Sequence, residues 1–284
     1  KDEKVSVTDA TINDSTHLKN GYKFSSVTPS KEITIKNNGE NVIRVYYVKD
    51  NYGYKVKYYY DGVLDDSKTY TNSAEFGSKV ETYPDEVIKG YSFEKTENFP
   101  LTITENTESN LIKVYYVSNS YDYTIKHVEK GNETNILETE SNSAKFGSTI
   151  NVVEKEFTGF TYDSKDKEEI VIDTENNTAT VYYTRNSYDY TIKHVEKGNE
   201  TNVLGTDTGS ANYEDTIEVV EKEFTGFTYD SKDKETIVID TENNTATVYY
   251  TRNSYDYTIK HVEKGNETNV LGTDTGSANY EDEI

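Results

Sequence analysis

Along Ser120–Asn186, Tyr121, Tyr123, Ile125 and His127 alternate with Asp122, Thr124 and Lys126. A period of two is that of a strand with one buried face, and it predicts a half-buried strand here. Lys130-Gly-Asn132 is a turn signal. Leu137–Ser143 is polar and predicts a strand or a loop edge. Phe146-Gly-Ser148 marks another turn, and Thr149–Val153 reads as a strand. Phe157-Thr-Gly-Phe-Thr-Tyr162 is a tight aromatic bend entering a short strand. Glu169–Ile172 is a further strand and Thr174–Asn177 a polar turn. In the last strand, Thr178–Thr184, Ala179, Val181 and Tyr183 share one face, while Thr180 and Tyr182 share the other. No segment carries a long apolar stripe of period 3.6, although one or two helical turns fit near Val153–Glu156.

The same pattern returns. Ser187–Asn253 repeats Ser120–Asn186 with 11 changes in 67 positions. Tyr123, Tyr190 and Tyr257 open the motif YTIKHVEKG at steps of 67, whereas Tyr54 to Tyr123 is a step of 69. A Gly-aromatic pair recurs as Gly21-Tyr22, Gly90-Tyr91, Gly159-Phe160 and Gly226-Phe227. A period of this size decides the architecture. It predicts an N-terminal partial or divergent repeat at 1–50, repeats at 51–119, 120–186 and 187–253, and the truncated start of another at 254–284. Both ends read as cut. The chain lacks an initiating Met, a signal peptide and an apolar stretch long enough to span a bilayer. The expectation is a slice of a longer protein, with any signal, anchor or head domain outside it.

Composition narrows the class. The 27 tyrosines and the Val, Ile and Phe that accompany them suit strands, and Leu and Ala are scarce. The fold expected is mainly β, built from small repeat domains with thin cores arranged end to end, with little or no helix. Absence of Cys removes disulfides and thiolate metal sites. A net charge of −22 leaves no basic face for nucleic acid or for anionic membranes. That charge favours solubility and keeps near-identical neighbours from exchanging strands. The segment joining consecutive copies, Thr184–Asp189, contains neither Gly nor Pro, so a floppy tether is not expected. A unit of 67 residues is roughly 30 Å across, and a stiff row of such units would make a stalk.

One copy carries a resemblance to a known family. Tyr54-Lys-Val-Lys-Tyr-Tyr-Tyr-Asp-Gly62 is followed by Phe76-Gly-Ser, Lys89-Gly-Tyr-Ser-Phe93 and Lys113-Val-Tyr-Tyr-Val117, with Pro84 ahead of the Gly-Tyr pair. This succession resembles the MucBP (mucin-binding protein) repeats of Gram-positive surface adhesins. In the later copies His127 stands where the family often has Tyr, and Gly159-Phe160 replaces the Gly-Tyr pair. The resemblance covers nearly all of the chain except Lys1–Lys19. It implies a small β-grasp (ubiquitin-like) unit strung in tandem between a signal peptide and a cell-wall anchor. Mucin or glycan binding is the family's name-giving activity, and many of its repeats serve as stalks.

His127, His194 and His261 occupy one repeat position, without a second His or Cys for a zinc site, and read as strand residues beside Lys126 and Glu129. Asp163–Glu168 and Asp173–Asn177 alternate oxygen ligands as calcium loops do, yet lysines interrupt the first and neither has the EF-hand pattern. They read as solvated turns, so no metal and no cofactor are expected. An isopeptide crosslink of Lys126 with Asn176 or Asn177 would need burial that the surrounding polarity disfavours. Tyr115, Tyr182 and Tyr249 lie on the strand face opposite the core row, where they serve either as cross-strand pairs or as platforms on which a sugar ring stacks. These three tyrosines are the candidate ligand-binding residues.

Ten of the 11 changes between the two near-identical copies fall in Ile136–Asn151 and its counterpart Val203–Glu218. Recombination between neighbours or a variable, ligand-facing edge would each produce such clustering. Taken together, the sequence predicts a non-enzymatic stalk or adhesion region on a Gram-positive cell surface, extracellular and monomeric, with host mucin or other glycoprotein glycans as partners. Direct multivalent glycan binding, or an accessory region of a secreted glycan-active enzyme, are the alternatives.

Overall fold

The computed structural model describes residues 3–37 and 39–284. The fold is nearly all β. Among the described residues the helical elements are Asp9–Ile12 and a 3-10 turn at Asp66–Lys68. The helical turn allowed near Val153–Glu156 does not form, and that segment is irregular. No helix among the described residues is long and apolar enough to cross a membrane. Contacts group the chain into two compact units. The first comprises Lys1–Tyr123, Asn142–Ile150 and Val171–Asn177, the second Thr124–Ser141, Asn151–Ile170 and Thr178–Ile284.

In the first unit, strand Asn51–Tyr60 pairs in parallel with Leu111–Ser118, with Val56 opposite Ile112, Tyr58 opposite Val114 and Tyr60 opposite Tyr116. Antiparallel strands flank the pair, Tyr70–Glu75 on one side and Tyr91–Glu97 on the other. Burial alternates along both central strands. Tyr54, Val56, Tyr58 and Tyr60 point inward with Ile112, Val114 and Tyr116, and Val80, Leu101 and Ile103 close the core. Two parallel strands need a long connection. Here it includes the ribbon Lys79–Val80 with Leu101–Thr102, which supplies the other side of the core. The N-terminal stretch adds two ribbons, Lys4–Ser6 with Glu32–Thr34 and Tyr22–Thr28 with Arg44–Lys49. Thr8 caps the helix by accepting from Thr11 N–H, and Tyr47 donates to the carbonyl of buried Ile12 at 2.7 Å.

The second unit uses the same plan. Ser187–Glu196 pairs in parallel with Thr245–Arg252, flanked by Asn199–Asn212 and Phe227–Lys232. Ile192, Ala246, Val248 and Tyr250 face Val219, Ile237 and Ile239 from the ribbon Thr216–Glu218 and Thr236–Val238. Thr124–Glu129 repeats the parallel register against Thr178–Tyr183, and Phe160–Lys165 repeats the antiparallel edge. Hairpin Ser254–Glu263 with Asn266–Asn279 carries the register of the preceding copy's hairpin.

Of the two readings given to Leu137–Ser143, strand holds, and the segment is the middle of the 14-residue strand Asn132–Lys145. Its polar residues are tolerated because the strand is largely exposed. The six-residue link Thr184–Asp189 is almost entirely strand. Only Asn186 separates Thr178–Arg185 from Ser187–Glu196. Single residues also separate the strands around Asp50, Asn119 and Asn253.

Candidate functional site

The three tyrosines chosen from sequence sit where the alternation put them. Tyr115, Tyr182 and Tyr249 are half-buried, each between two buried neighbours facing the core: Val114 and Tyr116, Val181 and Tyr183, Val248 and Tyr250. Their surroundings differ. The Tyr115 ring stacks on Tyr59 with centroids 4.9 Å apart, and the Lys95 amine lies 4.9 Å from its centroid. Its hydroxyl donates to Glu97 at 3.1 Å. Burial, then that bond, raises the Tyr115 phenol, and the bond lowers the Glu97 carboxyl. Tyr59 and Lys95 already lie against this ring, so a sugar would have to displace one of them. In the next two copies Val128 and Val195 stand across from Tyr182 and Tyr249 in place of a tyrosine.

His127 lies on the inward face that the alternation gave it, whereas His261, at the same repeat position, is exposed. His127 and His194 are fully buried. The Lys155 backbone N–H donates to Tyr183 Oη at 2.8 Å, so the phenolic proton is directed to His127 Nδ1 at 3.0 Å. That leaves Nε2–H to donate to Glu140 Oε1 at 2.8 Å. The Lys155 ammonium pairs with Glu140 at 3.1 Å and with Glu138 at 2.6 Å, which closes a ring of polar contacts. The next copy rebuilds it with Lys222 N–H to Tyr250 at 2.7 Å, Tyr250 to His194 at 3.1 Å and His194 to Asp207 at 3.1 Å, with Lys222 paired to Asp207. The bond from His127 lowers the Glu140 carboxyl, whereas Asp207 is lowered first by Lys222 and then by His194. Burial raises both phenols. Phe157 and Phe224 stand edge-on to Tyr183 and Tyr250, at 5.0 Å in each case. The ring buries the imidazole and the phenol, while its lysine and carboxylates remain partly exposed. Its members are scattered and individually polar, so no local motif announced them.

The other candidates separate. Lys126 is exposed, while buried Asn177 is occupied by the Asp173 backbone N–H and by the carbonyls of Asp173 and Asp122. The Lys–Asn–carboxylate geometry of an isopeptide is not assembled there. Among the described residues no three His, Cys, Asp or Glu side chains converge as a metal site. A shallow groove of about 740 Å³ is lined by Glu221, Lys222, Phe224, Thr228 and Tyr229, among others.

The recurring Gly-aromatic pair has a partner that the sequence did not reveal. Phe146 packs on Gly90, where a β-carbon would overlap its ring. The ring also meets Tyr91 edge-on at 5.9 Å and Tyr121 at 6.4 Å. Between them, Asn119 N–H donates to the Gly90 carbonyl and Asn119 O accepts from Phe146 N–H, both at 2.8 Å. The same clasp recurs three times. Phe76 sits on Gly21 with Tyr22 and Tyr52, Tyr213 on Gly159 with Phe160 and Tyr188, and Tyr280 on Gly226 with Phe227 and Tyr255. Asp50, Asn186 and Asn253 take the part of Asn119. All four glycines have φ between 77° and 83°, a region where L-residues are strained. The turn at Phe146 and Tyr213 thus lies against the preceding copy. The rest of the variable strip belongs to the largely exposed edge strands Asn132–Lys145 and Asn199–Asn212, so only its terminal turn is covered.

No family model matches the chain, and no curated protein sequence matches it. The likeness to MucBP repeats therefore rests on the motif residues alone. Among solved structures, one match is to domains 3–4 of the Streptococcal High Identity Repeats in Tandem (SHIRT) from a cell surface protein. It is 14% identical over 46% of this chain and 98% of that chain, with a TM-score of 0.20. Another is to two B repeat units of the collagen binding protein of Staphylococcus aureus, 11% identical over 83% of this chain and 81% of that chain, with a TM-score of 0.16. At these scores neither likeness assigns a role to this chain.

Proposed function

We propose that the chain is the non-enzymatic, tandem-repeat stalk and adhesion region of a Gram-positive cell-surface protein. In this reading it projects an adhesive head or itself contributes to attachment to host mucin and other glycoprotein glycans. The observation that carries the proposal is the glycine clasp, repeated at Gly21, Gly90, Gly159 and Gly226 with one linking residue fixed by backbone bonds on both sides. A joint copied with so little slack suits a spacer whose copies keep a constant relation to one another. The repeats are taken as 51–119, 120–186 and 187–253, between a partial copy at 1–50 and the opening of another at 254–284. The strand order, with the first and last strands parallel at the centre, supports the β-grasp kinship implied by the MucBP motifs. The protein acts outside the cell, monomeric and anchored to the wall through sequence beyond this segment, without inserting into a membrane or binding nucleic acid. Small-angle scattering on the full chain tests the stalk. An elongated particle is expected, and a folded-back, compact one overturns the reading.

A second reading, direct multivalent glycan binding, is favoured by Tyr182 and Tyr249. They present the same half-exposed ring in consecutive copies, so weak sites would add by avidity. A glycan array probed with the full chain and with Tyr182→Ala/Tyr249→Ala tests it. Binding lost in the double variant supports it, while no binding by the parent removes this reading and leaves the stalk standing.

A further inference from the structure

The clustered differences between copies coincide with the turn that enters each clasp. Lys145-Phe-Gly-Ser148 in one copy is Asn212-Tyr-Glu-Asp215 in the next and Asn279-Tyr-Glu-Asp282 after that. The surfaces that these turns meet change as well. Gly159 is flanked by Arg185, whose Nη1 donates to the Tyr213 carbonyl at 3.2 Å and pairs with Asp215 at 3.6 Å. Gly226 is flanked by Arg252, which pairs with Asp282 at 3.2 Å. At Gly90 the position of Arg185 is held by Ser118, whose backbone N–H and hydroxyl donate to Asp61 at 3.0 and 3.2 Å. Lys145 contributes to holding the Asp61 carboxyl low, after the two bonds from Ser118. An ion pair, Lys89 with Asp173 at 2.5 Å, crosses this junction, and Thr158 replaces Lys89 one copy later. At Gly21 the Lys49 amine lies 3.9 Å from the β-carbon position of Gly77, in a turn that begins with Glu75.

We propose that the turn at 145–148 and 212–215 is an address by which each copy accepts a preceding copy of opposite junction charge. A basic turn follows an acidic socket, and acidic turns follow basic sockets. Copy 187–253 bears an acidic turn at Asp215 and a basic socket at Arg252. It is complementary to itself head to tail, and its successor carries the same acidic turn. Copy 120–186 bears Lys145 in its turn and Arg185 in its socket. It cannot follow itself without setting like charges together, and it serves as the adapter between the acidic socket of 51–119 and the self-complementary type. The device combines an attractive pair in the correct order with a repulsive one in the wrong order. The clasp aromatic and its glycine are common to every junction, so they supply the shared grip, and the flanking charges supply the order.

The test uses the full chain, which has no native Cys, with nitroxide labels at Glu175→Cys and Glu242→Cys, both exposed. N212K/Y213F/E214G/D215S places the adapter's turn against Arg185. E129Y/K130D/R185S then converts that socket, in which Glu129 pairs with Arg185 at 2.7 Å, to the type carrying Tyr60, Asp61 and Ser118. Electron–electron distance distributions between the labels are expected to broaden in the first variant, with roughly a fivefold rise in the open-to-closed ratio of the junction. They are expected to narrow again when the two sets are combined. An unchanged distribution in the first variant overturns the proposal. So does failure of the combined variant to restore it, including the case in which the first variant loses its fold.

Discussion

The copies at 51–119 and at 120–186 share a sheet register but fill the same buried position by different chemistry. Tyr58 stands where the later copies have His127 and His194. In the earlier copy three phenols reach one short segment. Tyr58 donates to the Pro84 carbonyl, Tyr60 to the Glu86 carbonyl and Tyr116 to the Asp85 carboxylate, each at 2.6 Å. In the later copies one phenol remains at the centre, and an imidazole joins it to a carboxylate and a lysine. Tyr70 takes the place of that carboxylate in 51–119, opposite Val56 as Asp207 is opposite Ile192. What the fold demands at this position is a satisfied buried polar group, not a particular one. The two solutions are expected to differ in how they fail.

The largest effect expected is from Tyr183→Phe. It strands the Lys155 N–H and His127 Nδ1 together, at a cost of about 2–4 kcal/mol for two buried unsatisfied groups. Tyr58→Phe leaves only the Pro84 carbonyl without its donor and should cost about 1–2 kcal/mol. Denaturant unfolding followed by residue-resolved hydrogen exchange separates the copies. Equal losses in the two would mean that the ring is no more than its separate bonds.

Next comes acid. Glu140 and Asp207 titrate below the ordinary carboxylate range in the folded chain. Their contribution is therefore present above the unfolded pKa and lost as pH falls through the folded value. Glu140→Gln/Asp207→Asn should flatten the acid limb of stability for 120–253, at a fixed cost near neutrality. The core position of 51–119 carries no such carboxylate. An acid limb that stays equally steep in the double variant would show that other carboxylates set it.

In base the order reverses. Burial pushes the Tyr58 phenol up to about 12, and burial together with the bond to Asp85 raises Tyr116 as well. A phenol raised in the folded state stabilises fully below its unfolded value of about 10 and loses that contribution as pH rises through the folded value. Phenolate absorbance should show most tyrosines ionising first and Tyr58 and Tyr116 late, together with unfolding of 51–119. Tyr58→Phe should remove one late proton. Were the late phase intact in that variant, it would belong to other buried phenols.

Much of this was legible from sequence where the signal is local. Ala179, Val181 and Tyr183 alternate with Thr180 and Tyr182, and the strand buries the expected face. The Gly-aromatic pairs marked the period correctly, but their role as sockets was hidden. The ring that fills Gly90 is Phe146, in a turn of the next copy, and period alone cannot show that neighbours touch there. The partners of His127 were hidden for the same reason. Its sequence neighbours Lys126 and Glu129 are polar, whereas Tyr183, Glu140 and Lys155, which make burial tolerable, come from three other segments. The strand at Asn132–Lys145 was underread because a largely exposed strand has no apolar alternation to display.

The smallest effect expected concerns the turn itself. Gly147 and Glu214 occupy one position, with φ of 78° and 66°. Holding a non-glycine residue there costs about 1 kcal/mol, whereas a glycine adds about 0.5–1 kcal/mol of chain entropy to be lost on folding. Glu214 also helps to raise the Arg185 guanidinium, after Glu129 and Asp215, and an exposed charge at that range is worth a few tenths of a kcal/mol, roughly. These terms nearly cancel, and Glu214→Gly should change stability by under about 0.5 kcal/mol. Its backbone bond to the Ile239 carbonyl, at 2.7 Å, is unaffected by the side chain. A loss well above that figure would mean that the glutamate holds the turn through a contact of its own. A near-zero change would explain how copies exchange charge at this turn while keeping the same clasp, since the backbone there accepts either residue.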